Sequence, residues 1–134
     1  MEAIIELPIV AVDGWAFELS KFLKPREDYI DGHELARRVE VMDNLADRFH
    51  ANHLLLRQNV IPREWRSIIP IFAKTIKHGR FGYLGFPHFC WCEHFQRWYL
   101  DSRWLGWGFA KDCRLVRLVP ELTLQVQYPT LPSF

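Results

Sequence analysis

At 134 residues the chain is long enough for one hydrophobic core and too short for two of useful size, so a single domain over residues 1–134 is expected. An apolar fraction of 49% beside 25% charged residues is ordinary for a water-exposed globular protein, and no apolar run reaches the ~18 residues of a membrane span. A net charge of +1 argues against a generic polyanion binder, whereas six Trp, ten Phe and four Tyr are an excess that either fills a core with rings or supplies anchors for a partner.

The first segment, EAIIELPIVAV, reads as extended chain that Pro8 confines to an edge or a bulge. It has neither a basic stretch nor a small-residue cleavage pattern, so no leader is expected and the location is taken as cytoplasmic. In DGWAFELSKFL, Trp15, Leu19 and Phe22 at helical spacing behind Asp13 predict a helix that Pro25 stops. From Asp31 onward, Leu35, Val39, Met42, Ala46, Phe49, His53 and Leu56 recur at steps of four and three. They predict one amphipathic helix of about six turns. The same stripe satisfies roughly three heptads, so a homodimer seam along the Leu35–Leu56 helix is a second use for it, behind internal packing.

Charge changes sign at this point. Residues 1–56 carry a net of −5, whereas residues 57–80 hold Arg57, Arg63, Arg66, Lys74, Lys77 and Arg80 against Glu64 alone. Pairing within the fold is expected to settle part of this polarity. A second helix is predicted from Pro62 to just before Gly79, with Trp65, Ile69, Phe72 and Ile76 as its stripe and a kink at Pro70. The glycines of RFGYLGF suit a short strand or a loop. The tail CRLVRLVPELTLQVQYP reads as two strands about Pro120 and Glu121, the second alternating Leu122, Leu124, Val126 and Tyr128 with polar residues. The expected fold is therefore α+β: three to four helices packed on a small antiparallel sheet built from the N- and C-terminal segments.

The most unusual stretch is FPHFCWCEHFQRWYLDSRWLGWG, residues 86–108, where His88, Cys90, Cys92 and His94 alternate among rings. In a strand, all four face one side but span about 20 Å, so at most two neighbours share one ion. In a helix begun by Pro87, Trp91, Cys92, Phe95, Trp98 and Tyr99 share one arc. Glu93, His94, Arg97 and Asp101 then lie opposite, with Cys90. The helix sorts the residues better and is the expectation. It sends Cys92 to the core and leaves Cys90 and His94 as a weak metal-ligating pair, two donors short of a structural zinc site. An inert thiol beside a surface imidazole is the plainer outcome, and no cofactor is expected. Three cysteines at no framework spacing also exclude a disulfide scaffold. Asp47, His50 and His53 in DRFHANH read as structural groups. The serines occupy no nucleophile elbow, and GRFGYLGF lacks the phosphate-loop lysine and the dinucleotide spacing.

A non-enzymatic, protein-binding domain is the reading these residues favour. Trp104 and Trp107 of DSRWLGWG, with Arg103, are the anchors. Arg63, Arg66, Lys74, Lys77 and Arg80 would steer an acidic partner, or Glu27, Asp28, Asp31 and Glu34 a basic one. In size and lack of catalytic motifs the chain is similar, as a class, to inhibitors made by phages and mobile elements, anti-CRISPR proteins among them, which occupy a host complex. The alternative is single-strand or RNA binding through residues 57–109, where arginines neutralise phosphates and rings stack bases. A zinc-binding protein or metal enzyme comes third.

Overall fold

Asp13 and Gly14 hold φ angles of 50° and 90°, the pair of left-handed residues that a two-residue type I′ hairpin requires. They fold Val10–Val12 (β1) back onto Trp15–Ser20 (β2) with Val12 opposite Trp15. The helix predicted at Trp15–Phe22 is thus a strand. An Asp-Gly turn between two β-prone runs outweighs three apolar residues at helical spacing. A computed structural model describes residues 7–78 and 82–122, with the backbone alone at Lys77 and His78. The further strands are Tyr29–Asp31 (β3), Ile69–Ile71 (β4), Lys77–His78 (β5), Leu84–Cys92 (β6), Arg97–Trp104 (β7), Gly108–Ala110 (β8) and Cys113–Leu118 (β9).

Seven of the strands form one mixed sheet, hydrogen-bonded in the order β1-β2-β9-β4-β6. Strands β4 and β5 share one edge of β6, and β7 takes the other. The β4–β9 pair is parallel. Strands β3 and β8 make a separate two-stranded ribbon. The chain is therefore far more sheet-dominated than three to four helices on a small terminal sheet, and central segments supply β4, β6 and β7. The strand expected to carry Leu124, Val126 and Tyr128 lies outside the described residues.

Alternation along the strands distributes two cores. Phe17, Phe89, Trp98 and Val116 point to one face, where Ala51 and Leu54 of helix Arg48–Leu56 (α2) cover them. Ile71, Phe86, Cys113 and Leu115 point to the other, under Leu35 and Val39 of helix Gly32–Val39 (α1). A strand covered on both faces loses its polar alternation. For this reason FPHFCWC does not look like a strand.

The same layering breaks the predicted Leu35–Leu56 helix. Because α1 and α2 lie on opposite faces, the chain between them must cross the sheet. Residues 44–46 make that crossing in the gap beyond β4. The Leu118 amide donates to the Asn44 carbonyl, the Ala46 amide to that of Val116, and the Lys74 amide to that of Ala46. Asn44 takes a left-handed φ of 62°, and Asp47 then caps α2 by accepting from the Phe49 and His50 amides. His50 closes the capping box by accepting from the Asp47 amide. A dimer seam along Leu35–Leu56 accordingly has no continuous helix to run on. The helix predicted from Pro62 is likewise a 3₁₀ turn, Arg63–Ser67, followed by β4, with Pro70 in the strand. Trp65 still fills the core, and its indole N–H donates to the Pro8 carbonyl.

Charge pairing ties α1 to the preceding loop. Both guanidinium ends of Arg38 meet Glu27, at 2.7 and 2.6 Å, and its Nε donates to Glu34. Arg38 holds the Glu27 carboxyl down to about 2, against an ordinary 4.5. A carboxyl lowered on folding stabilises above its unfolded pKa, and that contribution fades as pH falls from about 4.5 towards about 2. Glu27→Gln is expected to flatten the melting temperature's pH dependence across that window. Parallel pH profiles for the variant and the parent would remove Glu27 from the acid response.

Candidate functional site

The stretch expected to be helical is the β6–β7 hairpin. Residues 93–96 turn the chain, Gln96 taking a φ of 52°, and the strands pair in strict register from Gly85 opposite Trp104 to Cys92 opposite Arg97. Trp91, Phe89 and Trp98 therefore face one core, while His88, Cys90 and Cys92 face the other way. The helical arc that joined Trp98 to Tyr99 does not exist: Trp98 is buried and Tyr99 is exposed. Strand β7 is an outer edge, and Gln58 closes part of it. The Gln58 side-chain amide donates to the Trp98 carbonyl at 2.9 Å and accepts from the Trp98 amide at 2.7 Å.

This hairpin dissolves the predicted Cys90–His94 pair, since His94 sits in the turn with its ring against Phe95. It assembles a different set. His88 is opposite Asp101, and Cys90 is two residues along the same strand on the same face. The Cys90 Sγ lies 3.5 Å from the His88 Nδ1, and one donor atom each from His88, Cys90 and Asp101 lie within 4.8 Å of one another. His88 is buried, Cys90 half-buried and Asp101 exposed, so the cluster opens to solvent on the Asp101 side. Tyr99, opposite Cys90, hydrogen-bonds the thiol. Burial pushes the Cys90 thiol up and holds the His88 imidazole below its ordinary value. The two are therefore neutral together, not the thiolate–imidazolium pair of a cysteine nucleophile. Asp101 contributed no sequence signal, because only the hairpin register brings it to His88.

At the other end of the hairpin, Trp104 and Trp107 are 41% and 50% exposed, beside Tyr83 at 53%. The Tyr83 and Trp104 rings lie 4.8 Å apart, and those of Trp104 and Trp107 6.3 Å apart, the latter edge to face. The turn that shows them is pinned from beneath. Leu105 is buried; its amide donates to the Leu84 carbonyl, and its own carbonyl accepts from the Gly32 amide. Arg103 is not free: its Nε and Nη2 donate to the Gly108 carbonyl, and its guanidinium lies over Phe109.

The charged residues singled out by sequence do not form one patch. Arg57 reaches Asp13, which also accepts from His53. Arg66 stacks 3.7 Å above the Trp91 ring and with Arg63 acts on Glu93, while Lys74 lines a different groove, with Glu40 and Asp43. The Lys77 side chain and Arg80 are outside the described residues. On the acidic side Glu27 and Glu34 hold Arg38, Asp28 pairs with Lys111, and Asp31 caps α1. The basic groups that do line one groove, of about 510 Å³, are Lys21, Lys24, Arg26, Lys111 and Arg114, scattered through the sequence and joined only by the fold. Among the described residues no helix is long and apolar enough to cross a membrane. The sequence matches no protein-family model, and neither a curated protein nor a solved structure matches the chain.

Proposed function

We propose that the protein works by docking on another protein through the ridge of Tyr83, Trp104 and Trp107. The observation that carries this reading is that two tryptophans are half-exposed yet held in place by each other, by Tyr83 and by the pinned turn beneath. Pre-packed rings offer large apolar area and lose little side-chain entropy on binding, the properties of interface anchors. The nucleic-acid reading has less support. Trp104 and Trp107 meet edge to face and not as parallel plates, and Arg103 is already committed to the Gly108 carbonyl. An inhibitor that occupies a partner's working surface, without chemistry of its own, is the form of docking we favour. Its three free thiols suit a reducing, cytoplasmic setting.

The test is to co-purify the native partner and measure its affinity for the parent, Trp104→Ala and Trp107→Ala chains. Each ring is expected to contribute at least ~2 kcal/mol, roughly 30-fold in Kd. Unchanged affinity in both variants would sink the reading. So would binding that the partner's nucleic acid carries and salt abolishes, or a ridge that merely joins two copies of this chain in sedimentation experiments.

A further inference from the structure

We infer that His88, Cys90 and Asp101 form a three-ligand site for a zinc-class divalent metal ion, built across the β6–β7 ladder with its fourth position open to solvent. The inference does not depend on the docking ridge. Two ligands at i and i+2 on one strand face the same side, and a third from the residue directly opposite closes the triangle. Tetrahedral zinc with its usual S and N bond lengths sets those two donors roughly 3.5 Å apart, and the Cys90 Sγ and His88 Nδ1 stand at 3.5 Å. That nitrogen also lies 3.3 Å from the Phe89 carbonyl oxygen, a contact that metal binding through Nδ1 would replace. The Asp101 carboxylate, with an oxygen within 4.8 Å of both, is the third donor.

A nucleophilic triad is the rival use of the same residue types, and the geometry disfavours it. In a triad the imidazole stands between thiol and carboxylate, relaying through its two nitrogens and holding the outer groups far apart. Here the thiol and carboxylate themselves lie within 4.8 Å of each other. Asp101 spends one oxygen on the Ser102 amide instead of on the ring. Convergence of a borderline-soft thiolate, an imidazole and a carboxylate on one point is a donor set for zinc, or for cobalt as its spectroscopic substitute. Binding displaces the thiol proton, so loading should release acid. Cys92 lies one repeat further along the same face but opposite Arg97, which repels a cation, and it stays outside the set.

The test is titration of the full, reduced and chelator-stripped chain with Co(II). The expected result is one ion per chain, tetrahedral d–d bands and thiolate charge-transfer absorption, all reversed by competing Zn(II). Cys90→Ser should abolish the charge-transfer band. Asp101→Asn should weaken binding by no less than the ~10–100-fold that outer-shell changes cost. Cys92→Ser and His94→Ala should bind as the parent does. Asp101 is exposed and Cys90→Ser nearly isosteric, so folding, checked by circular dichroism, is expected to survive both. Absence of stoichiometric binding, a band that persists in Cys90→Ser, or loss of binding in Cys92→Ser or His94→Ala would overturn the assignment.

Discussion

Gly32→Ala should be among the most damaging single substitutions in this protein, although helix propensity alone favours alanine by up to ~1 kcal/mol. A Cβ at this first residue of α1 would stand 2.4 Å from the Leu105 Cα and 2.6 Å from its carbonyl oxygen. Both are backbone atoms, so no rotamer change relieves the clash. The approach is close because the Gly32 amide donates to that same carbonyl at 2.7 Å. Overpacking that side chains absorb costs ~1–3 kcal/mol; against backbone we expect ~3 kcal/mol or more, a fall in melting temperature of roughly 10 °C or beyond. The displaced strand end carries Trp104 and Trp107, so partner affinity should fall with stability. Gly106→Ala is the contrast: its Cβ would meet the Trp104 ring at 3.0–3.2 Å, a contact that a shift of a few tenths of an ångström in a half-exposed side chain relieves. A Gly32→Ala chain that melts with or above the parent would show that α1 and the turn are not in backbone contact.

Local features were legible in the sequence where a few adjacent residues decide them. Trp104 and Trp107, close together in DSRWLGWG, need not both find room in the core, and both rings are half-exposed. Asp13-Gly14 is an equally local turn signal, but Trp15, Leu19 and Phe22 behind it are spaced as for a helix. The larger misreadings share a physical origin. Periodicity reports how many faces of an element are covered, and a sheet with helices on both sides erases the alternation that marks a strand. Leu35 to Leu56 kept a helical stripe across residues 44–46, although α1 and α2 bury their apolar residues against opposite sides of the sheet. The stripe was continuous in sequence only. The break is made by Asn44, in a left-handed conformation, and by Asp47, the cap of α2, two short signals inside a longer apolar pattern. The His88–Cys90–Asp101 cluster was out of reach for a different reason: its third member is defined by hairpin register, which the turn at residues 93–96 sets.

Trp98→Ala against Tyr99→Ala separates the hairpin from the helix that the sequence suggested. On a helix the two neighbours share the buried arc, and both truncations are costly. On β7 they face opposite ways: Trp98 is 1% exposed and Tyr99 45%. Trp98 packs on Phe89 and Trp91, and Gln58 clamps its backbone from the end of α2. Its loss should cost ~3–5 kcal/mol through transfer and cavity terms, a large share of the ~5–15 kcal/mol that holds a domain together. The melting temperature should drop by roughly 10–20 °C, with Trp98→Phe recovering part of the loss. Tyr99→Ala removes a ring that is nearly half-exposed and a single hydrogen bond to Cys90, and should cost no more than about 1 kcal/mol. Because Trp98 braces the strand from behind, its removal should also loosen Asp101 on the opposite face and weaken cobalt binding in whatever fraction stays folded. Equal destabilisation by the two substitutions would reinstate a shared buried face, and with it a helix in place of the β6–β7 ladder.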